Sequence, residues 1–107
     1  MEQEVHFSAL RRGLLELLVL ASVEHKARYA GEIVAALRDV EFPVQEGTAY
    51  PLLNKMRREG LVDHEWRESP SGPPRKYLSL TPAGQQRLTE YRSYWQKLTT
   101  MIERIGR

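Results

Sequence analysis

The last quarter of the chain restricts most strongly what this sequence can fold into. After Thr81-Pro82, the residues Leu88, Tyr91, Trp95, Leu98, Ile102 and Ile105 succeed one another at intervals of 3, 4, 3, 4 and 3. That is the heptad spacing of a helical seam, not the broad stripe of a core-facing helix. Thr81 suits an N-cap, and Pro82 suits the first helical position, where its missing N–H is not needed. A helix from Pro82 to Ile105 would run ~36 Å at ~1.5 Å per residue, longer than the ~30 Å of a small domain. Part of it must project, and a projecting apolar seam needs a partner. The other residues of this 107-residue chain offer no second helix of that length. The economical partner is another copy, with Leu88, Tyr91, Trp95, Leu98, Ile102 and Ile105 as the dimer seam. The expected division is therefore a body over residues 1–81 and a dimerisation helix over 82–107.

The body reads as three helices. Leu10, Leu14, Leu17, Leu18 and Ala21 recur on one helical face, with Ser8 as N-cap, and Leu15, Val19 and Leu20 widen the stripe, so this helix is expected to be core, buried on most sides. A second helix carries Ala30, Ile33, Val34 and Leu37 inward and is expected to stop at Phe42-Pro43. A third runs from about Gln45 to Glu59, with Gly60 as its C-terminal stop. Its inward positions are Ala49, Leu52, Leu53 and Met56. The opposite face carries Gly47, Pro51, Asn54 and Arg58, flanked by Thr48, Tyr50, Lys55 and Arg57, and holds no acid. Pro51 removes a backbone donor inside that helix and predicts a kink in its first turns. Two alternating runs follow, Leu61–Arg67 and Arg75–Leu80. The link from Glu68 to Pro74 looks too long for a two-residue hairpin turn. Mainly α with a small two-stranded β-wing and a long last helix is the layout of a winged helix-turn-helix. In that class the third helix enters the DNA major groove and the wing reaches nearby phosphates or the minor groove.

Charge supports that reading only when it is taken by segment. Net charge is +2. Residues 1–44 hold five cations against seven acids, residues 45–76 six against five, and residues 77–107 five against two. Any basic surface belongs to the second half. Cysteine is absent, which removes disulfides, thiol nucleophiles and thiolate metal sites. No apolar run is long enough to span a membrane, and the acidic start Met1-Glu-Gln-Glu-Val-His resembles no targeting segment, so the cytoplasm is the expected compartment. Neither a glycine-rich phosphate loop nor a His-Glu-x-x-His pattern occurs. The acid pairs Glu2/Glu4 and Glu65/Glu68 sit at the chain start and on the wing, so an enzyme is not expected. His6, His25 and His64 are too dispersed for a metal site, and no cofactor is expected.

Several stretches resemble the PadR family of bacterial transcriptional regulators. Arg11-Arg-Gly-Leu-Leu-Glu-Leu-Leu-Val-Leu20 is similar to that family's opening helix. Gly47-Thr-Ala-Tyr-Pro-Leu-Leu53, followed by Met56 and Gly60-Leu-Val62, is similar to its recognition helix. Tyr77-Leu-Ser-Leu-Thr-Pro-Ala-Gly84 is similar to its wing exit and the start of its last helix. The resemblance spans about Leu10 to Gly84, and the length suits the short form with a single C-terminal dimerisation helix. It implies a homodimer on a palindromic operator, usually a repressor. By position it implies DNA contacts from Thr48, Tyr50 and Asn54 on the recognition helix and from Arg75 and Lys76 on the wing. Two places depart from the family pattern. Ala30-Gly31-Glu32 replaces a Gly-Tyr-Glu-like run, so the backbone-contacting aromatic is absent at 31, although Tyr29 lies nearby. Gln45-Glu46 replaces Ser-Pro, and Glu46 suits the helix dipole but opposes a phosphate.

The expected DNA-contacting set is thus Tyr29, Thr48, Tyr50, Asn54, Lys55, Arg58, Arg75 and Lys76. Each has a plainer reading beside it: Tyr50 as packing against the wing, Asn54, Lys55 and Arg58 as a solvated face, Arg75 and Lys76 as edge-strand charges that oppose aggregation. Trp95 reads either as dimer core or, with Tyr91 and Tyr94, as the wall of a cavity for a planar aromatic effector. The alternative from another class is a winged helix that docks proteins and binds no specific DNA. Salt separates the two, because DNA binding weakens by ~0.9 log units per log unit of salt for each neutralised phosphate.

Overall fold

The computed structural model describes residues 2–107, with side chains from Ser8 onward. The element order is α1 (Glu2–Ser22), β1 (Arg28–Tyr29), α2 (Ala30–Asp39), α3 (Glu46–Arg58), β2 (Val62–Ser69), β3 (Gly72–Leu80) and α4 (Pro82–Ile105). The fold is the expected mainly helical one, with a small antiparallel sheet. The sheet has three strands, in the order β1-β3-β2, where two were expected. The added strand is two residues long and pairs Arg28 with Leu78 and Tyr29 with Tyr77. A strand so short carries no readable alternation.

The core draws Leu15, Val19 and Leu20 from α1, Val23 from the turn after it, Ile33 and Leu37 from α2, and Leu53 and Met56 from α3. Leu61, Val62, Leu78 and Leu88 close it. Helix α1 begins at Glu2, so Ser8 lies within it and is not its cap. The stripe expected to be core is buried only in part. Leu10 is 49% exposed and Leu14 only half-buried, because they face an open groove beside the last helix rather than the core. At the other end of α1 the Ser22 carbonyl accepts from Nε of Arg28 at 2.7 Å, which satisfies a helix-end acceptor and fixes the approach to β1.

Helices α2 and α3 end in the same way. After α2, the N–H of Glu41 bonds the carbonyl of Arg38 at 2.9 Å, and that of Phe42 bonds Leu37 at 2.9 Å. After α3, Gly60 bonds Arg57 and Leu61 bonds Met56, both at 3.0 Å. Both are Schellman turns, whose first residue past the cap must be left-handed. Gly60 has φ 76° and Glu41 has φ 63°. Helix α2 therefore stops at Asp39, before the expected Phe42-Pro43, and Phe42 folds back onto the core. Helix α3 runs on through Pro51 to Arg58; the interrupted carbonyl, that of Gly47, lies on the exposed face.

The hairpin is longer than the alternation suggested. Ser69 pairs with Gly72, so the turn is the two residues Pro70-Ser71, not a loop from 68 to 74. A register shift between Arg67 and Ser69 sets Pro73 and Pro74 of β3 against the single residue Glu68 of β2. The prolines are tolerated there because β1 reaches only as far as Tyr77, leaving the other edge of β3 without a neighbour.

Helix α4 starts as expected. The Thr81 hydroxyl oxygen accepts from the Gly84 N–H at 3.0 Å and donates to the Gly60 carbonyl at 2.6 Å. Gly84 then lies against the α3–β2 turn, where a Cβ would stand 2.0 Å from the Leu61 carbonyl oxygen. The far end of α4 leaves the body: the molecule measures 56 × 35 × 21 Å, and its radius of gyration is 15.5 Å, against ~13 Å for a compact domain of this length.

Candidate nucleic-acid interface

Helix α3 turns Ala49, Leu53 and Met56 inward, and helical geometry then distributes the rest of its surface. Tyr50, Asn54 and Arg57 fall on the flank facing the hairpin; Gly47, Pro51 and Arg58 point outward; Thr48 and Lys55 fall on the other flank. Between the first flank and the hairpin lies a cleft of about 420 Å³. Leu53, Leu78 and Ala30 give it apolar surface, and Tyr29, Tyr50, Asn54, Arg57, Trp66, Arg75 and Lys76 complete its lining.

Strand register explains how the hairpin side is assembled. Trp66 stands opposite Lys76, and Arg67 opposite Arg75. The Lys76 ammonium lies 5.9 Å from the centre of the Trp66 ring, and the Arg75 guanidinium 4.5 Å from that of Tyr29. Tyr29 meets Tyr77 edge-on at 5.4 Å, and Arg67 covers the far ring at 4.4 Å while pairing with Glu65 at 3.2 Å. These cation–π contacts restrain long side chains that would otherwise sample many rotamers. The cleft lining carries three cations and no acid. Among the described residues none of Arg57, Arg75 and Lys76 is paired with a carboxylate.

Tyr29 also accounts for one departure from the family pattern. A Cβ at Gly31 would lie 2.8 Å from Cε2 of Tyr29, so the glycine at the position of the missing aromatic makes room for the ring two residues earlier. The Tyr29 N–H donates to the Glu32 carboxylate at 3.3 Å, which ties the ring's backbone to the first turn of α2. An aromatic is thus present beside the cleft, reached from a different position.

Five of the eight expected contacts meet in this cleft: Tyr29, Tyr50, Asn54, Arg75 and Lys76. Lys55 and Arg58 are exposed on α3 outside it. Thr48 faces a second groove, where the Arg11 guanidinium stacks on Phe42 at 4.2 Å and donates to the Pro43 carbonyl at 2.7 Å. Sequence reasoning missed Arg57 and Trp66. Arg57 was placed only as a flank of α3; Trp66 appeared only as one position in an alternating strand, although it is 62% exposed.

A second feature lies between α1 and α4. Leu10, Gly13, Leu14 and Leu17 face Tyr91, Tyr94, Trp95 and Leu98 across an apolar groove of about 330 Å³. The Tyr91 hydroxyl donates to Glu16 at 3.3 Å, and Arg87 pairs with the same carboxylate at 3.4 Å. Leu88 does not belong to the exposed seam: it is 0% exposed and sits in the protomer's own core, because Gly84 brings the first turns of α4 onto the body. Among the described residues no cluster of His, Asp and Glu could hold a metal ion, and His6 lies outside the described side chains. No described helix is long and apolar enough to cross a membrane.

Comparison with known proteins agrees with the fold. The model of the transcriptional regulator PadR-like family matches residues 19–90. A Streptococcus transcriptional regulator of known structure is 38% identical, with 92% of this chain and 97% of that one covered at a TM-score of 0.82. A PadR-like transcription factor from Bacteroides fragilis is 37% identical, covering 92% and 95% at a TM-score of 0.82. Bacillus subtilis PadR, solved in complex with operator DNA, shares the fold at a TM-score of 0.68 and 20% identity, over 73% of this chain and 45% of that one.

Proposed function

This chain belongs to the PadR-like family of transcriptional regulators, and from that premise we propose that it is a bacterial repressor working in the cytoplasm as a homodimer on a palindromic operator. The observation that carries the reading is the cleft beside α3: three cations, Asn54 and three aromatic rings gathered with no acid among them. Helix α3 enters the major groove, where Asn54 has the paired donor and acceptor to read adenine and Lys55 and Arg58 reach guanine or phosphate. Thr48 and Tyr50 offer hydroxyls to phosphate oxygens, and Arg75 and Lys76 bring the wing onto the backbone. Tyr29 supports Arg75 from beneath.

Residues 1–81 form the DNA-binding unit and 82–107 the dimerisation helix. The second copy covers Tyr91, Trp95, Leu98, Ile102 and Ile105, together with the groove that α4 forms with Leu10 and Leu14 of α1. Ile102 at 61% and Ile105 at 87% exposure favour this, since apolar side chains in a projecting row are those an interface buries. The two wings then meet half-sites about one DNA turn apart, ~34–36 Å. The same groove, walled by Tyr91, Tyr94 and Trp95, suits a planar aromatic effector held between copies.

A mobility-shift assay on the promoter upstream of the protein's own gene tests the reading. Asn54→Ala combined with Lys55→Ala is expected to abolish the specific shift, and Trp95→Glu to give monomers by sedimentation with weakened operator binding. Wild-type affinity in the first variant would remove α3 from recognition. Binding that ignores salt would favour the protein-docking alternative.

A further inference from the structure

We infer that one phosphodiester of the DNA backbone seats in the cleft between α3 and the hairpin, received by Arg57, and that Trp66 is a positioning residue holding Lys76 at the rim. The inference rests on the DNA-binding reading above and adds to it two residues and the place where the strand is gripped.

Arg57 carries the argument. Its Nε is enclosed and has no hydrogen-bond partner among the described residues. The terminal nitrogens of the same guanidinium are not enclosed, and among the described residues nothing accepts from them and no carboxylate lines the cleft. An incoming anion meets that free end. A guanidinium presents its donors in a fixed planar fork that matches two oxygens of a phosphate, and enclosure of Nε means that this fork is already oriented. The residue sits on the same flank of α3 as Tyr50 and Asn54, three positions beyond Asn54, so the proposed phosphate lies beside the base-reading surface.

Trp66 supplies the second half. An indole 62% exposed on a strand is an unusual use of the largest apolar side chain unless something covers it. Its cross-strand partner is Lys76, whose ammonium stays within 5.9 Å of the ring. Lysine is the most mobile of the cations, and a ring face beneath it narrows where its charge can be. Arg75 is restrained in the same way by Tyr29. All three cations of the cleft are thus held in place before any ligand arrives. Their convergence on one cleft suits a phosphate backbone, with Arg57 on the phosphodiester inside and Arg75 and Lys76 on its neighbours at the rim; an acidic peptide would need donors spread along an extended groove.

The test is the salt dependence of operator binding for wild type, Arg57→Gln, Arg57→Lys, Trp66→Leu and Trp66→Phe, with melting temperature read in parallel. Arg57→Gln is expected to reduce the slope of log K against log salt by ~0.9 per protomer and to weaken operator and unrelated DNA alike. Arg57→Lys is expected to restore the slope. Trp66→Leu should weaken binding with the slope unchanged, since Lys76 keeps its charge, and Trp66→Phe should recover most of the loss. A wild-type slope in folded Arg57→Gln overturns the inference, as does Trp66→Leu binding as tightly as wild type. Should Arg57→Gln fail to fold, Arg57→Met, which keeps the length and apolar stem of the side chain, decides the matter: its slope should fall by the same ~0.9, and a wild-type slope overturns the inference. If wild type shows no salt-dependent DNA binding at all, the functional reading itself has failed, and that outcome is seen before any variant is compared.

Discussion

From Pro82 to Arg92, helix α4 is held by its own chain; from Tyr94 to Ile105, the same helix leaves most of its large apolar side chains exposed, with Leu98 half-buried. The first stretch is capped by Thr81, fitted against Leu61 at Gly84, buried at Leu88, and tied to α1 through Arg87 and to the turn after α1 through Arg92. The second exposes Tyr94, Trp95, Met101, Ile102 and Ile105. One heptad pattern runs through both. Such a pattern says that a row of side chains needs burial and leaves open which surface buries it. What assigns the surface is the start of the helix, because the Thr81 cap and the Gly84 contact fix the axis. The first turns then lie on the body, and the later ones leave it.

Leu88→Ala and Ile102→Ala test that division most strongly. Removing Leu88 leaves a cavity in a closed core and should cost ~2–5 kcal/mol in urea unfolding, at any protein concentration. Removing Ile102 takes nothing from the protomer. It should act on the proposed dimer, lowering the melting temperature most at low protein concentration. Equal, concentration-independent losses would erase the distinction between the halves. Gly84→Ala comes next. Its Cβ would meet a backbone carbonyl, which cannot swing aside like a side-chain tip, so α4 or the α3–β2 turn must shift. We expect a loss of ~1–3 kcal/mol, as for overpacking elsewhere. A neutral Gly84→Ala would mean that the axis is fixed by something other than this contact.

The same contrast explains what could be read in advance. The start of α4, the inward face of α3 and the stop at Gly60 were legible because each depends on local chemistry: a cap, a period, a left-handed residue that favours glycine. The end of α2 uses an identical turn but places Glu41 where glycine is favoured, so the readable signal, Phe42-Pro43, lies just past the true end at Asp39. On α1 the sequence shows Leu15, Val19 and Leu20 as part of a widened apolar stripe, and what it leaves open is that these are buried while Leu10 and Leu14 are not. On a helix apolar nearly all round, only tertiary placement selects the buried side. At the candidate interface, residue types on α3 and the base of the wing were readable, and five of them do converge. Arg57 and Trp66 were not, since their place beside the others depends on strand register and on how β1 joins the sheet. Gly31 looked like the loss of an aromatic, and only the ring of Tyr29 lying over it shows what the glycine permits.

The smallest effect concerns the last tie of the anchored half. Arg92 grips Glu24 with two hydrogen bonds, of 2.9 and 2.8 Å, and Gln85 adds a third at 3.1 Å. These bonds, Arg92's first, hold the Glu24 carboxyl at about 2 where 4.5 is ordinary. A carboxyl lowered by folding stabilises the native state while it is ionised, so its contribution is complete above about 4.5 and is lost as pH falls towards 2. Glu24→Gln removes that dependence. The melting temperature of wild type should therefore fall more steeply than that of Glu24→Gln between these two values, and the two should run parallel at neutral pH. Because the tie is on the surface, salt should narrow the difference. If the two profiles coincide throughout, Arg92 does not hold α4 to the turn after α1, and the anchored half must end one turn earlier, at Leu88 and the Glu16 carboxylate.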